Sequence, residues 1–238
     1  MRANPRRRAR LAACLYLVSG FPAGFYVYLI SKLTVRGNPT ETAANILRSE
    51  ALFRVSLAGD LIGISLVLAS VVVLYRLLKP ASQDLALMML CFCVMGSGLQ
   101  ALNSLVDLTA LIFLKGGPAL GSWSAAQSQA LGYAFLRMHG ITYNLALVFF
   151  GFYSALVGGL VFRSGFLPRV FGPLMVIDGL GYLTAGFSFV MAPAIATRLM
   201  PIVPMGTALV SELPLMLWLL FKGVDEQRWR ERVVQPAA

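Results

Sequence analysis

The chain has 238 residues, a formal net charge of +10, 58% apolar and 13% charged residues, and a mean hydropathy of +0.75. The apolar share exceeds the roughly 45–50% of soluble domains, and the charged share is about half theirs. Too few polar residues are present to cover a water-soluble surface, and the chain is too apolar and too sparsely charged for disorder. What remains is an integral membrane protein, one domain or at most two small ones by length.

Arg2, Arg6, Arg7, Arg8 and Arg10 crowd the N-terminus, and Lys222, Arg228, Arg230 and Arg232 the C-terminus. Basic clusters beside apolar spans mark cytoplasmic flanks that attract anionic lipid headgroups. The expected partners are therefore the lipid bilayer, with anionic headgroups at both basic tails, and not nucleic acid.

A spanning helix needs about 20 mostly apolar residues. Six stretches qualify: 10–33, 51–78, 84–114, 139–162, 169–191 and 201–222. The first begins at Leu11-Ala12-Ala13-Cys14, which imitates a lipoprotein cleavage box. Arginines stand where the apolar stretch of such a box belongs, so the run to Leu33 reads as an uncleaved transmembrane helix. Asn38-Pro39-Thr40 is no glycosylation acceptor, because Pro holds the middle position. Thr40 to Glu50 forms a surface helix, with Thr40 as its N-cap and Ala43, Ala44 and Leu47 as a weak apolar stripe. Lys79-Pro80-Ala81-Ser82 separates the second and third spans, and Lys115-Gly116-Gly117-Pro118 ends the third. Ser122 to Met138 begins polar and runs, straight or bent, into the fourth span. Arg163-Ser164-Gly165-Phe166-Leu167-Pro168-Arg169 is a tight turn, and Pro193 and Pro201 frame the last loop.

The expected fold is thus an all-α membrane bundle of six transmembrane helices, with short surface helices in the first and third loops. A basic tail of residues 1–9 precedes the transmembrane domain of 10–222, and a second basic tail of 223–238 follows it. Of the 20 Lys and Arg, thirteen share the side of the N-terminus and seven the other. The positive-inside rule then puts both termini in the cytoplasm.

The chain has ten acids. Asp60, Asp107, Asp178 and Glu212 fall within predicted spans, at a cost of about 2.5–3.5 kcal/mol each near a helix centre. In the third span Gly96, Gln100, Asn103 and Asp107 fall on one face, within roughly a 60° arc, which must turn toward protein or water. Asp178 and Glu212 lie near mid-span. Asp60 lies nearer the outer side, and Asp107, His139, Arg137 and Arg54 nearer still. Asp60, Gln100, Asn103, Asp107, His139, Asp178 and Glu212 therefore compose either an outward-facing polar cavity or a set of interhelical bonds that fasten the bundle. Arg54 and Arg137 are outer-side basic partners that snorkel or pair with acids. Ser56, Gly59 and Gly63 suggest close helix packing around Asp60. Pro214, just after Glu212, frees a carbonyl about one turn earlier.

No catalytic residue or cofactor is assigned. Hydrolase elbows, His-Glu-x-x-His, phosphate loops and nucleotide fingerprints do not occur. A single histidine makes a metal site unexpected. Cys91 and Cys93 point about 160° apart on a helix, so they form no local clip, and Cys14 is read as an apolar filler.

Several segments resemble the bacterial domain-of-unknown-function 4386 family. They are Thr42-Ala-Ala-Asn-Ile-Leu-Arg-Ser-Glu-Ala-Leu-Phe-Arg54 continuing to Asp60, Leu145-Ala-Leu-Val-Phe-Phe-Gly151, Arg163 to Arg169, and Ser211-Glu-Leu-Pro-Leu-Met-Leu-Trp-Leu-Leu-Phe-Lys-Gly223. The resemblance covers about residues 10–224. It implies a polytopic protein of the bacterial cytoplasmic membrane and carries over no functional residue. Three functions stay open: a non-catalytic binding or interaction protein, a proton- or cation-coupled carrier using the intramembrane carboxylates, and an intramembrane enzyme.

Overall fold

The structure is a computed structural model that describes residues 4–116, 121, 123–200 and 202–234. Arg2, Gly117, Pro118, Ser122, Pro201 and the last four tail positions, 235–238, lie outside the described residues.

Among the described residues the chain folds as α1 (Pro5–Leu33), α2 (Pro39–Arg48), α3 (Glu50–Leu78), α4 (Gln83–Lys115), α5 (Ala125–Ser164), α6 (Phe171–Met191), α7 (Pro193–Leu199), α8 (Ile202–Phe221) and α9 (Glu226–Val234), with no strand. Six of these, α1, α3, α4, α5, α6 and α8, are long and apolar enough to cross a membrane. They coincide with the six spans expected from hydropathy. The segment from residue 125 to Met138 is the first part of α5, continuous with the fourth span. Large apolar side chains on these helices point outward, Phe21 at 77% and Phe221 at 69% exposed. Such exposure is what a lipid solvent requires and what water penalises.

The short helix of the first loop is present, with two corrections. Its N-cap is Asn38, not Thr40. The Asn38 Oδ1 accepts from the Glu41 N–H at 3.0 Å, and Pro39 takes the first helical position, where its missing N–H costs nothing. Its buried face is Thr42, Ala43 and Ile46, whereas Ala44 and Leu47 are exposed. The Thr42 hydroxyl is buried because it answers backbone groups, accepting from the Val35 N–H at 2.9 Å and donating to the Asn38 carbonyl at 2.9 Å.

The chain forms two compact units. One comprises Met1–Val18, Leu66–Ser97 and Asn144–Ala238; the other comprises Ser19–Ser65 and Gly98–Tyr143. The core of the larger unit is built around Leu74, Leu77, Met89, Leu160, Met175 and Leu219. Its α5 and α6 approach at backbone distance. A Cβ on Gly158 would meet the Gly172 carbonyl at 2.6 Å, one on Gly179 the Gly151 carbonyl at 2.6 Å, and one on Gly186 the Asn144 carbonyl at 3.0 Å. Gly172, Gly179 and Gly186 are seven residues apart, and so are their opposites Gly158, Gly151 and Asn144 in reverse order. This is an antiparallel heptad seam of small residues, which lets two backbones gain dispersion contacts where lipid supplies no hydrophobic drive.

Also in the larger unit, α9 turns part of the expected basic tail into a docked helix. Trp229 is buried, and its indole Nε1 donates to the Leu77 carbonyl at 2.8 Å. That carbonyl is one of the last four of α3, which have no acceptor role within the helix.

The core of the smaller unit comprises Tyr26, Ile46, Phe53, Leu111 and their neighbours. Here α3 packs on α1 through Gly59 and Gly63, whose added Cβ atoms would lie 3.4 Å from the Pro22 side chain and 3.2 Å from the Ser19 carbonyl. The packing expected of Gly59 and Gly63 is thus against α1.

The glycine seam makes a paired prediction. Gly158→Ala and Gly179→Ala each lower unfolding stability in detergent by about 1–3 kcal/mol, since a methyl must displace backbone. Gly159→Ala, whose added Cβ meets nothing within 4 Å, leaves stability unchanged or raises it by up to about 1 kcal/mol. Thermal unfolding of the three purified variants measures the difference.

Candidate functional site

The polar residues singled out by the sequence divide between the two units. Asp60, Gln100, Asn103, Asp107 and His139 belong to the smaller, and Asp178 and Glu212 to the larger.

In the smaller unit, Tyr26 of α1, Asp107 of α4 and His139 of α5 meet. The Tyr26 hydroxyl donates to Asp107 Oδ2 at 2.6 Å. His139 Nδ1 lies 3.0 Å from the same oxygen and 3.1 Å from the Tyr26 hydroxyl. A carboxylate only accepts, so this arrangement requires the His139 proton on Nδ1 and leaves Nε2 as the ring's second site. Asp107 is fully buried, while His139 keeps partial access. Asp60 of α3 belongs to the same unit and is partly buried. One turn along α4, the Asn103 Nδ2 donates to Gln100 Oε1 at 3.0 Å, joining two members of the predicted polar face. Asp107 Oδ1, Asn103 Oδ1 and Ser104 Oγ are buried and receive no hydrogen bond among the described residues.

The outer-side arginines behave differently from each other. Arg54 pairs along its own helix with Glu50 at 2.9 Å, and Lys115 reaches the same Glu50 oxygen at 2.9 Å. Arg137 is exposed and makes no ion pair among the described residues.

In the larger unit, Asp178 of α6 is fully buried and accepts from the Ser154 hydroxyl of α5 at 2.5 Å. Glu212 of α8 accepts from the Tyr16 hydroxyl of α1 through Oε2 and from the Tyr182 hydroxyl of α6 through Oε1, the latter at 3.2 Å. Asp178 and Glu212 are electrostatic neighbours. Asp178 Oδ1 accepts no hydrogen bond among the described residues.

Tyr16, Tyr26, Tyr182 and Ser154 are the donors that sequence reasoning missed. The available signal was chemical. Each intramembrane carboxylate needs O–H or N–H donors from another helix, and tyrosines inside apolar spans are the natural supply. Among the described residues no group of three or more His, Cys, Asp or Glu side chains is placed to hold a metal ion. Cys14 and Cys91 are exposed and Cys93 is buried, all as free thiols.

A family model described as "Domain of unknown function (DUF4386)" matches residues 11–223. A protein of Archaeoglobus fulgidus, described as "Uncharacterized protein", is 28% identical over 130 residues, which cover 54% of this chain and 63% of that relative. The chain thus matches less than two thirds of that relative's length. No solved structure matches.

The Tyr26–Asp107–His139 cluster predicts a non-additive double-mutant cycle. Tyr26→Phe and His139→Ala each cost about 1–3 kcal/mol of stability, because each takes a donor from a buried carboxylate. The double variant loses less or more than the sum by at least about 0.5 kcal/mol, as expected of residues that share one partner. Denaturation of the four proteins in one detergent closes the cycle.

Proposed function

The chain belongs to the DUF4386 family, and from that footing we propose that it is a non-catalytic binding or interaction protein of a bacterial cytoplasmic membrane, spanning it six times with both termini in the cytoplasm. The observation that carries this reading is the internal bonding of three of the four intramembrane acids. Asp107 is held by Tyr26 and His139, Asp178 by Ser154, and Glu212 by Tyr16 and Tyr182, in each case within one unit. Groups committed to neighbouring helices fasten a bundle. The orientation rests on the excess of Lys and Arg in segments on the side of the N-terminus. The two basic tails favour anionic headgroups at that surface.

A second reading has its own support. Two neighbouring intramembrane carboxyls, with Asp178 Oδ1 accepting no hydrogen bond among the described residues, are the arrangement from which a proton-coupled carrier would work.

The readings separate experimentally. Tyr16→Phe lowers stability by about 1–3 kcal/mol by removing a donor from a buried carboxylate. Liposomes containing the wild type and Glu212→Gln then show the same proton permeability under an imposed gradient. Flux in the wild type that Glu212→Gln abolishes would replace the interaction reading with the carrier. Green fluorescent protein fused to either end fluoresces if both termini are cytoplasmic; a dark fusion at one end rejects the orientation.

A further inference from the structure

In the larger unit, a cavity of about 310 Å3 opens where α3 ends, α4 begins and α9 docks. Arg8, Arg76, Lys79 and Arg232 line it, together with Trp229 and Ser82, and no carboxylate does. Nearby, Arg6 and Arg230 pair with Glu226, and Arg228 with Asp225. Arg8, Arg76, Lys79 and Arg232 make no ion pair among the described residues.

The position of these side chains is built. Trp229 is anchored through its indole N–H to the Leu77 carbonyl at 2.8 Å, and the Arg8 guanidinium lies 6.0 Å from the centre of the Trp229 ring. Arg8 Nη1 also reaches the Arg76 carbonyl at 3.4 Å, and Arg232 Nη2 the Arg163 carbonyl at 3.3 Å. Two of the four cations are thus held in place by backbone carbonyls. Like charges gathered around one concavity repel unless an anion enters it. Several forked guanidinium donors plus an ammonium suit a tetrahedral anion with many acceptor oxygens. The cavity lies at the ends of two spanning helices, the level at which a bilayer presents its headgroups.

We propose that this cavity is a binding site for a phosphate group, carried by the headgroup of an anionic lipid or offered as free phosphate. It sharpens the proposed attraction of the basic tails for headgroups into one defined site, and rests on that reading only for the lipid source. It does not depend on the intramembrane acids.

The test uses the full chain in neutral detergent, titrated with short-chain phosphatidylglycerol and, separately, with inorganic phosphate. Bound lipid is counted by native mass spectrometry and bound phosphate by equilibrium dialysis. The double variant Arg76→Gln/Lys79→Gln weakens binding by about tenfold or more, as expected for two lost charge-assisted contacts. Arg7→Gln/Arg10→Gln removes equal charge from exposed residues outside the cavity. It changes affinity by less than about twofold. Arg232→Gln repeats the measurement should the first double variant unfold. Lipid binding that millimolar phosphate does not displace assigns the lipid source, and displacement assigns free phosphate; either supports the site. Equal losses in both double variants would reduce the effect to diffuse tail charge and overturn the proposal, as would binding of neither ligand. Loss of the interaction reading would appear in proton flux and leave these titrations unchanged.

Discussion

In hydrocarbon, a polar group that finds no partner inside the protein finds none at all. That constraint organises this molecule. The chain carries few acids, and three of those within its spans bond to other helices. Asp107 brings α1 and α5 to α4, and Glu212 brings α1 and α6 to α8. The remaining cohesion comes from dispersion, because apolar side chains gain little by leaving lipid for protein. Close backbone approach is the efficient way to obtain it, and the α5–α6 glycine seam is the clearest instance.

The six spans were legible because their signal is local. A run of about 20 apolar residues ending in Lys, Gly or Pro reports itself without knowledge of the rest of the fold. The polar face of α4 was legible for the same reason, since helical periodicity places Gln100, Asn103 and Asp107 together, and the Gln100–Asn103 bond realises part of it. The first-loop helix was recognised, but its cap was misplaced. Asn38 and Thr40 are both good capping residues, and the choice is made by Pro39, which suits the first helical position better than the one before the cap.

What the sequence concealed is pairing between helices. Asp178 and Glu212 could be placed at similar depth, but nothing local says that they are neighbours or that Tyr16 and Tyr182 donate to the same glutamate. The heptad of Gly172, Gly179 and Gly186 is visible in the sequence once sought. Its meaning comes only from the matching spacing on α5, read in the opposite direction. The division of these polar residues between two units was likewise not legible, since depth along a helix does not identify the neighbours it meets.

The docking of Trp229 carries a consequence for assembly. The Leu77 carbonyl that its indole satisfies lies 152 residues earlier in the chain. A ribosome therefore delivers the acceptor near the end of α3 long before it delivers the donor. Until α9 emerges, the terminus of α3 relies on solvent for that bond. Closure of the latch follows synthesis of all six long apolar helices found among the described residues, so maturation of this end of α3 waits on a segment made much later.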